Sequence, residues 1–115
     1  MKKIIISGIP VVRILQNQYT VNYGASVTLE CTVTATPGHT SVQWRRTING
    51  VQTTITVSNN NNKYSGSAVN TPSLTINTAE NGDEGFYTCY ATNSVGTGNS
   101  QQTYLDVVGS MFIIM

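Results

Sequence analysis

The chain has 115 residues and a formal net charge of +1, with six Lys and Arg against five Asp and Glu. This length suits one domain with a single hydrophobic core. Basic residues never run longer than two, so neither nucleic-acid binding by phosphate neutralisation nor attraction to anionic lipid is expected. No apolar run approaches the roughly 18 residues of a spanning helix, so no membrane span is expected within the chain.

The composition favours strands throughout. Thr, Asn, Ser and Gln supply 45 residues, whereas only 10% are charged, compared with about 25% in a typical domain. Thr, Val, Ile and Tyr are abundant, and no stretch of helix formers occurs at helical spacing. The sequence therefore predicts an all-β domain.

Alternation of apolar residues locates the first strands. It predicts a strand over residues 10–16, a break over 19–24 and a second strand over 26–36. The second run places five small or apolar residues on one face: Val27, Leu29, Cys31, Val33 and Ala35.

Asn49-Gly50 predicts a hairpin, because both residues tolerate the positive φ angles of a two-residue turn. The strand before it, residues 41–48, carries Val42, Trp44 and Ile48 on one face. A two-residue turn would set four pairs opposite each other: Ile48 and Val51, Arg46 and Thr53, Trp44 and Ile55, Val42 and Val57.

The second half of the chain shows the same alternation of short strands and turn signals. In chain order we predict a solvated loop over residues 58–62, an edge strand over 63–69, a strand with Leu74 and Ile76 inward, a polar corner over 79–85, and a hairpin of 86–92 with 101–108 around 93–99.

Several motifs then occur in a fixed order. Cys31 is followed thirteen residues later by Trp44, and Asp83, Gly85, Tyr87 and Cys89 form an Asp-x-Gly-x-Tyr-x-Cys segment. This arrangement resembles that of immunoglobulin domains, over about residues 12–108. The resemblance implies an immunoglobulin-like Greek-key β-sandwich of two antiparallel sheets with one inter-sheet disulfide, Cys31–Cys89.

The resemblance also implies structural roles. Trp44 would pack on the disulfide, and the Tyr87 hydroxyl would bond to backbone at the corner. The bond between the cysteines would close a loop of 58 residues and stabilise the fold by about 4 kcal/mol; two reduced buried thiols are the alternative. Lys63 is predicted near Asp83, with Arg46 as the competing cation.

Two segments refine the resemblance. Residues 91–96 are similar to the tight turn of intermediate-set (I-set) modules, and the chain lacks the aromatic-Gly-x-Gly motif of antigen receptors. Residues 63–67, Lys-Tyr-Ser-Gly-Ser, and the Asn-Gly hairpin add some variable-set (V-set) character. The similarity implies a module of tandem cell-adhesion or matrix proteins, placed extracellularly.

No residue set supports catalysis, a metal site or a cofactor. The single His39 lies in a predicted exposed loop with no acid or Ser argued into its reach. The five acidic residues are scattered, so no calcium cage is expected.

One sheet face is a candidate protein-binding face. If Tyr87 and Cys89 point inward, the alternating residues of that strand point outward, and pairing Tyr90 with Gln102 would bring Tyr104 and Asp106 alongside. Tyr, Phe and Arg are enriched at interface hot spots. The candidate residues are Gln43, Arg45, Phe86, Tyr90, Gln102 and Tyr104; an ordinary solvated sheet face is the alternative.

Both ends are apolar and β-prone. We expect residues 1–8 to be an N-terminal extension or engineered remnant and not a signal peptide, residues 9–108 to be the domain, and residues 109–115 to be an apolar tail. If the tails pair between molecules, the contact runs head to tail and builds a filament. The residues concerned are Ile4, Ile5, Ile6, Phe112, Ile113 and Ile114.

The sequence thus favours a non-catalytic module that binds protein, homophilically or heterophilically, or spaces other domains. The alternative is a self-assembling unit linked through its tails. An immune-type receptor would need long variable loops, and the short 93–99 segment argues against it. An intracellular muscle-type module shares the corner motif, but the paired cysteines favour an oxidising compartment.

Overall fold

The computed structural model describes residues 7–58, 60 and 62–109, and these form short strands with one 3-10 turn at Asn81–Asp83. The described strands are β1 (Val11–Ile14), β2 (Gln18–Asn22), β3 (Val27–Leu29), β4 (Cys31–Thr34), β5 (Ser41–Ile48), β6 (Val51–Thr54), β7 (Tyr64–Ala68), β8 (Thr71–Ile76), β9 (Gly85–Thr92), β10 (Thr97–Asn99) and β11 (Thr103–Val108).

The strands form two layers. One layer is a sheet in the order β2-β11-β9-β5-β6, with β10 also paired to β9. The other consists of β3-β8-β7 and β1-β4, and these two parts adjoin because only Glu30 separates β3 from β4. All pairs are antiparallel except β2 with β11, which is parallel. The all-β immunoglobulin-like sandwich predicted from the sequence is confirmed.

The break predicted over residues 19–24 is wrong, because most of that segment is β2. Val21 points into the core with 8% of its surface exposed, and the Tyr19 hydroxyl accepts a hydrogen bond from the Glu30 amide at 3.0 Å. Pairing with β11, more than eighty residues away, holds the segment extended. Such a distant partner leaves no local signal in the sequence.

The core lies between the layers around the disulfide. The Cys31–Cys89 bond is present, and Trp44 lies beside Cys89 in the β5–β9 register. Trp44 has no exposed surface, and its indole Nε1 donates to the Pro72 carbonyl at 2.7 Å. The indole therefore fills the space between the sheets while its one polar atom is satisfied. Four aliphatic residues complete the fully buried centre: Leu29, Leu74, Ile76 and Leu105.

The Asn-Gly hairpin has the predicted register at its tip. Ile48 faces Val51, and Arg46 faces Thr53. The φ angles of Asn49 and Gly50, 51° and 78°, are the left-handed values that the turn requires.

Farther from the turn, the register prediction is only partly right. The ladder ends at Arg45–Thr54, and Ile55 keeps one hydrogen bond, from its amide to the Trp44 carbonyl at 2.9 Å. The expected Val42–Val57 pair does not form. Here the chain leaves the sheet to reach β7 in the opposite layer, so residues beyond β6 do not continue along β5.

The polar corner joins β8 to β9 through buried hydrogen bonds. The Tyr87 hydroxyl donates to the Asp83 carbonyl at 2.6 Å, and Tyr87 has no exposed surface. The Asp83 carboxylate accepts from the Glu80 amide at 2.8 Å and from Lys63 Nζ at 2.6 Å. These contacts link β7, the 3-10 turn and β9, so one corner connects both layers.

Arg46 does not compete with Lys63 for Asp83. Its Nη2 instead donates to the carbonyls of Gly82 and Glu84, and its guanidinium lies 5.9 Å from the centre of the Tyr87 ring. Gly85 follows with φ of 149°, and a Cβ there would lie 3.3 Å from Arg46 Nε. The glycine of the Asp-x-Gly motif therefore makes room for this arginine.

The last hairpin differs in register from the prediction. Tyr90 faces Asn99 and not Gln102, whereas Tyr104 faces Phe86. Between these pairs β9 advances four residues and its partner segment five, so the partner carries one extra residue, which is a β-bulge. Ser100 occupies it: its amide donates to the Cys89 carbonyl at 2.8 Å, and its hydroxyl accepts from the Cys89 amide at 3.0 Å.

We expect Tyr87→Phe to lower the free energy of unfolding by about 1–3 kcal/mol, because it leaves the buried Asp83 carbonyl without that donor. Chemical denaturation measures the change. Tyr104→Phe is the matched control, since the Tyr104 hydroxyl makes no hydrogen bond within the described residues and the residue is partly exposed. Equal losses in both variants would contradict the proposed role of the corner.

Burial raises the pKa of Tyr87 well above its ordinary value of 10.0, and the nearby Arg46 only partly opposes this. Burial, followed by the Asp83 charge, also raises the pKa of Tyr64. Because the folded-state pKa is raised, the contribution of the neutral tyrosine to the free energy of unfolding is full below pH 10.0. That contribution is lost as the pH rises above this value.

We therefore expect the midpoint of thermal unfolding to fall above pH 10.0 more steeply in the natural chain than in Tyr87→Phe. A pH series of melting curves measures both slopes. Parallel curves for the two proteins would show that Tyr87 does not carry the alkaline sensitivity.

Candidate functional site

The solvent side of the β2-β11-β9-β5-β6 sheet, here called the outer face, gathers most of the candidate binding residues. In β9, Tyr87, Cys89 and Ala91 point into the core with at most 1% of their surface exposed. Because side chains alternate along a strand, Phe86 and Tyr90 point the other way.

Gln43, Arg45 and Tyr90 form one cluster on the outer face. The Arg45 guanidinium lies 4.2 Å from the centre of the Tyr90 ring, and its Nε donates to Gln43 Oε1 at 2.8 Å. A second guanidinium nitrogen, Nη1, donates to Gln52 Oε1 at 3.2 Å, while Gln52 Nε2 donates to the Tyr90 hydroxyl at 2.8 Å. Each side chain thus holds another in position, so the cluster is preorganised.

Gln52 was missed by the sequence interpretation, although a signal for it existed. The Asn-Gly turn fixes the β5–β6 register and sets Gln52 opposite Thr47. Thr47 in turn faces Phe86, which lies on β9, the strand on the other side of β5. Following the outward-facing pairs of this hairpin, and not only the inward ones, would have placed Gln52 on the outer face.

Phe86 and Tyr104 form a second cluster beside the first. Their ring centres are 4.9 Å apart at an interplanar angle of 63°, an edge-to-face contact. Phe86 is 45% exposed, so nearly half of this large apolar side chain is open to solvent. The adjacent Thr88 is only 4% exposed although it points outward, because it lies in the middle of the sheet beside Arg45.

Gln102 does not join these residues as predicted. It lies outside the strands, between β10 and β11, and is exposed. The β9–β11 register, with Tyr104 opposite Phe86, differs by two residues from the predicted one, and the bulge at Ser100 adds one more, so Asn99 takes the place beside Tyr90 that the sequence assigned to Gln102. A bulge of one residue leaves no pattern in the alternation that would reveal it.

The side chain of Asn93 stabilises the turn at the end of β9 through four hydrogen bonds. Its Oδ1 accepts from the amides of Val95 and Gly96 at 2.9 and 3.1 Å. Its Nδ2 donates to the carbonyls of Gly8 and Pro37 at 2.8 and 2.9 Å. This buried side chain was not singled out in the sequence, and it makes the turn a rigid link between three segments instead of a long recognition loop.

His39 is partly buried, not fully exposed as predicted. Its Nε2 lies 2.8 Å from the Val69 carbonyl, a backbone partner on a neighbouring turn. Across residues 7–58, 60 and 62–109, no three His, Cys, Asp or Glu side chains are grouped to hold a metal ion. Nor does any helix in that part of the chain have the length and apolar character to cross a membrane.

Comparison with known structures identifies relatives of the fold. The chain is 29% identical to the tandem Ig repeats of Dlar, with a TM-score of 0.66, and the match covers 89% of this chain and 49% of that one. It is also 29% identical to the N-terminal Ig1-2 module of the Drosophila receptor protein tyrosine phosphatase DLAR, with a TM-score of 0.66 and coverages of 90% and 48%. The chain thus spans about half the length of these relatives.

A more distant structure supports the fold alone. It is a chain from work on T-cell specificity and activation by the bacterial superantigen toxic shock syndrome toxin-1, 22% identical with a TM-score of 0.69, and the match covers 86% of this chain and 99% of that one. No curated protein sequence matches the chain.

A family model gives the decisive match. The model of the immunoglobulin I-set domain covers residues 10–107, which include the disulfide, the buried Trp44 and the tyrosine corner. This chain belongs to the immunoglobulin I-set family.

Proposed function

We propose that this domain is a non-catalytic protein-binding module of the extracellular part of a larger protein, and that it binds through its outer face. The observation that carries the proposal is the preorganised Arg45–Tyr90 stack, with its two glutamines, beside the exposed Phe86–Tyr104 pair.

Preorganisation is what distinguishes this face from an ordinary solvated one. A free arginine loses rotamer entropy when a partner immobilises it, which costs about 0.5–1.5 kcal/mol of binding free energy. Here Gln43, Gln52 and the Tyr90 ring already hold Arg45 in the unbound domain. Tyr and Arg are also the residue types that dominate interface hot spots.

The exposed Phe86 adds apolar area next to this cluster. Burying the rest of its ring against a partner would contribute by the hydrophobic effect, and the edge-to-face contact with Tyr104 fixes its orientation. An apolar centre with polar groups around it is the usual anatomy of a protein interface.

Two further observations support the extracellular, tandem setting. The Cys31–Cys89 disulfide fits an oxidising compartment. Gly8 bonds to Asn93 at one end of β9, whereas Gly109 accepts from Asn81 Nδ2 at the other end. The two ends of the described domain thus lie at opposite poles, the geometry that serial domains and a spacer role need.

The alternative, a unit that assembles through its tails, uses the same geometry. Ile4, Ile5, Ile6, Phe112, Ile113 and Ile114 all lie outside the described residues. The opposite poles of Gly8 and Gly109 favour an open head-to-tail contact if such tails pair between molecules.

We expect Phe86→Ala to lower binding of the multimerised chain to the surface of cells from its source organism by about tenfold, because it removes the apolar centre of the outer face. Flow cytometry measures the binding, and retained melting behaviour shows that the half-exposed site tolerates the change.

Leu15→Ala is the matched control for this measurement. Leu15 is also a large exposed apolar residue, at 67%, but it lies between β1 and β2, away from the outer face. We expect its variant to bind like the natural chain. Unchanged binding by Phe86→Ala, or an equal loss in both variants, would refute the assignment of the face.

The tail alternative predicts a different outcome in solution. If the tails link domains, the full chain forms large, open-ended species that grow with concentration, and a chain trimmed to residues 9–108 does not. Light scattering coupled to sizing chromatography compares the two masses. The same mass distribution for both chains would exclude assembly through the tails.

A further inference from the structure

The outer face carries two opposite charges and no others at the outward positions of its described strands. Arg45 on β5 is the cation, and Asp106 on β11 is the anion, since Asp106 follows the outward Tyr104 by two residues. Neither residue has an ion-pair partner within the described part of the chain, where the Lys63–Asp83 bridge lies on the corner. The face is therefore polarised, with its cation on β5 and its anion on β11.

Glu84 lies just before β9 and adds a second carboxylate beside β11. Its Oε2 accepts a hydrogen bond from the Val107 amide at 3.1 Å, so its carboxylate is directed at backbone. Arg45, in contrast, keeps hydrogen-bond donors that its contacts with the two glutamines do not use. Its Nε and Nη1 bond to the two glutamines, and its Nη2 has no partner within the described residues.

The strand registers place the residues Arg45 and Asp106 symmetrically about Phe86. Thr47 and Tyr104 flank Phe86 on β5 and β11, and both strands run antiparallel to β9, so they share a direction. Arg45 precedes Thr47 by two residues, and Asp106 follows Tyr104 by two. The backbone positions of Arg45 and Asp106 thus stand at opposite ends of a diagonal, about 10 Å across the strands and about 14 Å along them, with Phe86 at its midpoint. From its position the Arg45 side chain extends over the Tyr90 ring.

This arrangement is complementary to itself. A two-fold axis lying in the plane of the face, through Phe86 and perpendicular to the diagonal, brings a second copy face to face with the first. It sets Arg45 of each copy against Asp106 of the other and Phe86 against Phe86. We propose that the outer face binds a second copy of this chain in this isologous dimer; the inference rests on the proposed function and specifies its partner.

The area of the outer face sets the expected affinity of the dimer. Five strands about 4.8 Å apart, and about 20 Å long, give a contact of about 400 Å² per partner, against about 800 Å² in a standard interface. The dimer is therefore weak in solution and becomes effective when several domains on one surface meet several on another. The central aromatic contact holds the copies together, and the two charge pairs select the orientation.

Charge exchange tests the geometry directly. In Arg45→Asp the dimer would set carboxylates against each other, and in Asp106→Arg it would set guanidinium groups against each other. We expect each variant to dimerise at least about tenfold more weakly than the natural chain. An equal mixture of the two variants, however, restores both opposite-charge contacts, so it should associate almost as tightly as the natural chain.

The experiment uses sedimentation equilibrium of the full chains over a concentration series up to the millimolar range. Arg13→Asp is the control, since it makes the same charge change at an exposed position on β1 in the other layer. We expect this variant to dimerise like the natural chain. Because rescue requires both single variants to be folded, recovery in the mixture also excludes misfolding as the cause of the individual losses.

Three results would overturn the dimer: a natural chain that stays monomeric throughout the series, single variants that dimerise as well as the natural chain, or a folded pair of variants that do not associate when mixed. If the dimer fails but Phe86→Ala still weakens binding to cells, the outer face binds a different protein and the proposed function stands. If neither measurement depends on the outer face, both proposals fail.

Discussion

The contact between the two layers at Cys31, Cys89 and Trp44 is the constraint on which the rest of the structure depends. The disulfide fixes the spacing of the sheets, and Trp44 fills the gap beside Cys89 without any exposed surface. In a chain of this size the core is small. One covalent link and one large buried ring therefore make up a large part of it. Charged residues could not take these places without costly desolvation.

Strand β9 connects this core to the surface. Its inward residues include Cys89 and the corner Tyr87, and its outward residues include Phe86 and Tyr90. The corner hydrogen bond to Asp83 fixes the beginning of the strand, while Asn93 closes the turn after its end. The outer face is therefore built on a rigid central strand, and its aromatic residues keep their relative positions without help from a partner.

The scarcity of charged side chains on the outer face gives Arg45 and Asp106 a large influence on how a second copy can be oriented. On a surface crowded with Lys and Glu, single pairs across an interface contribute little orientation because many arrangements are equivalent. Here only Arg45 and Asp106 carry charge at the outward positions of the described strands. One arrangement satisfies both at once, and the low overall charge of the chain, 10%, makes close approach of two copies easier.

The sequence by itself determined the class of fold, the hairpin turn and the core. Alternation and the Asn-Gly turn are local patterns, and backbone preferences and burial enforce them wherever the domain folds. The order of the Cys, Trp and Tyr motifs indicated the sandwich and its disulfide through their resemblance to immunoglobulin domains. Tertiary structure alone decided the β2 strand, the bulge at Ser100 and the end of the β5–β6 ladder. The first depends on a partner more than eighty residues away, and the other two depend on where neighbouring strands lie in the folded domain, so neither propensity nor periodicity could reveal them.

The same division holds for the candidate site. The types of residue on the outer face, Arg45, Phe86, Tyr90 and Tyr104, followed from the alternation of two strands. Their grouping did not, because the β9–β11 register together with the bulge moved Gln102 away and brought Asn99 to Tyr90. A register shift of a single residue changes every neighbour across a sheet. The sequence thus determined which side chains face outward, and only the paired strands decided which of them touch.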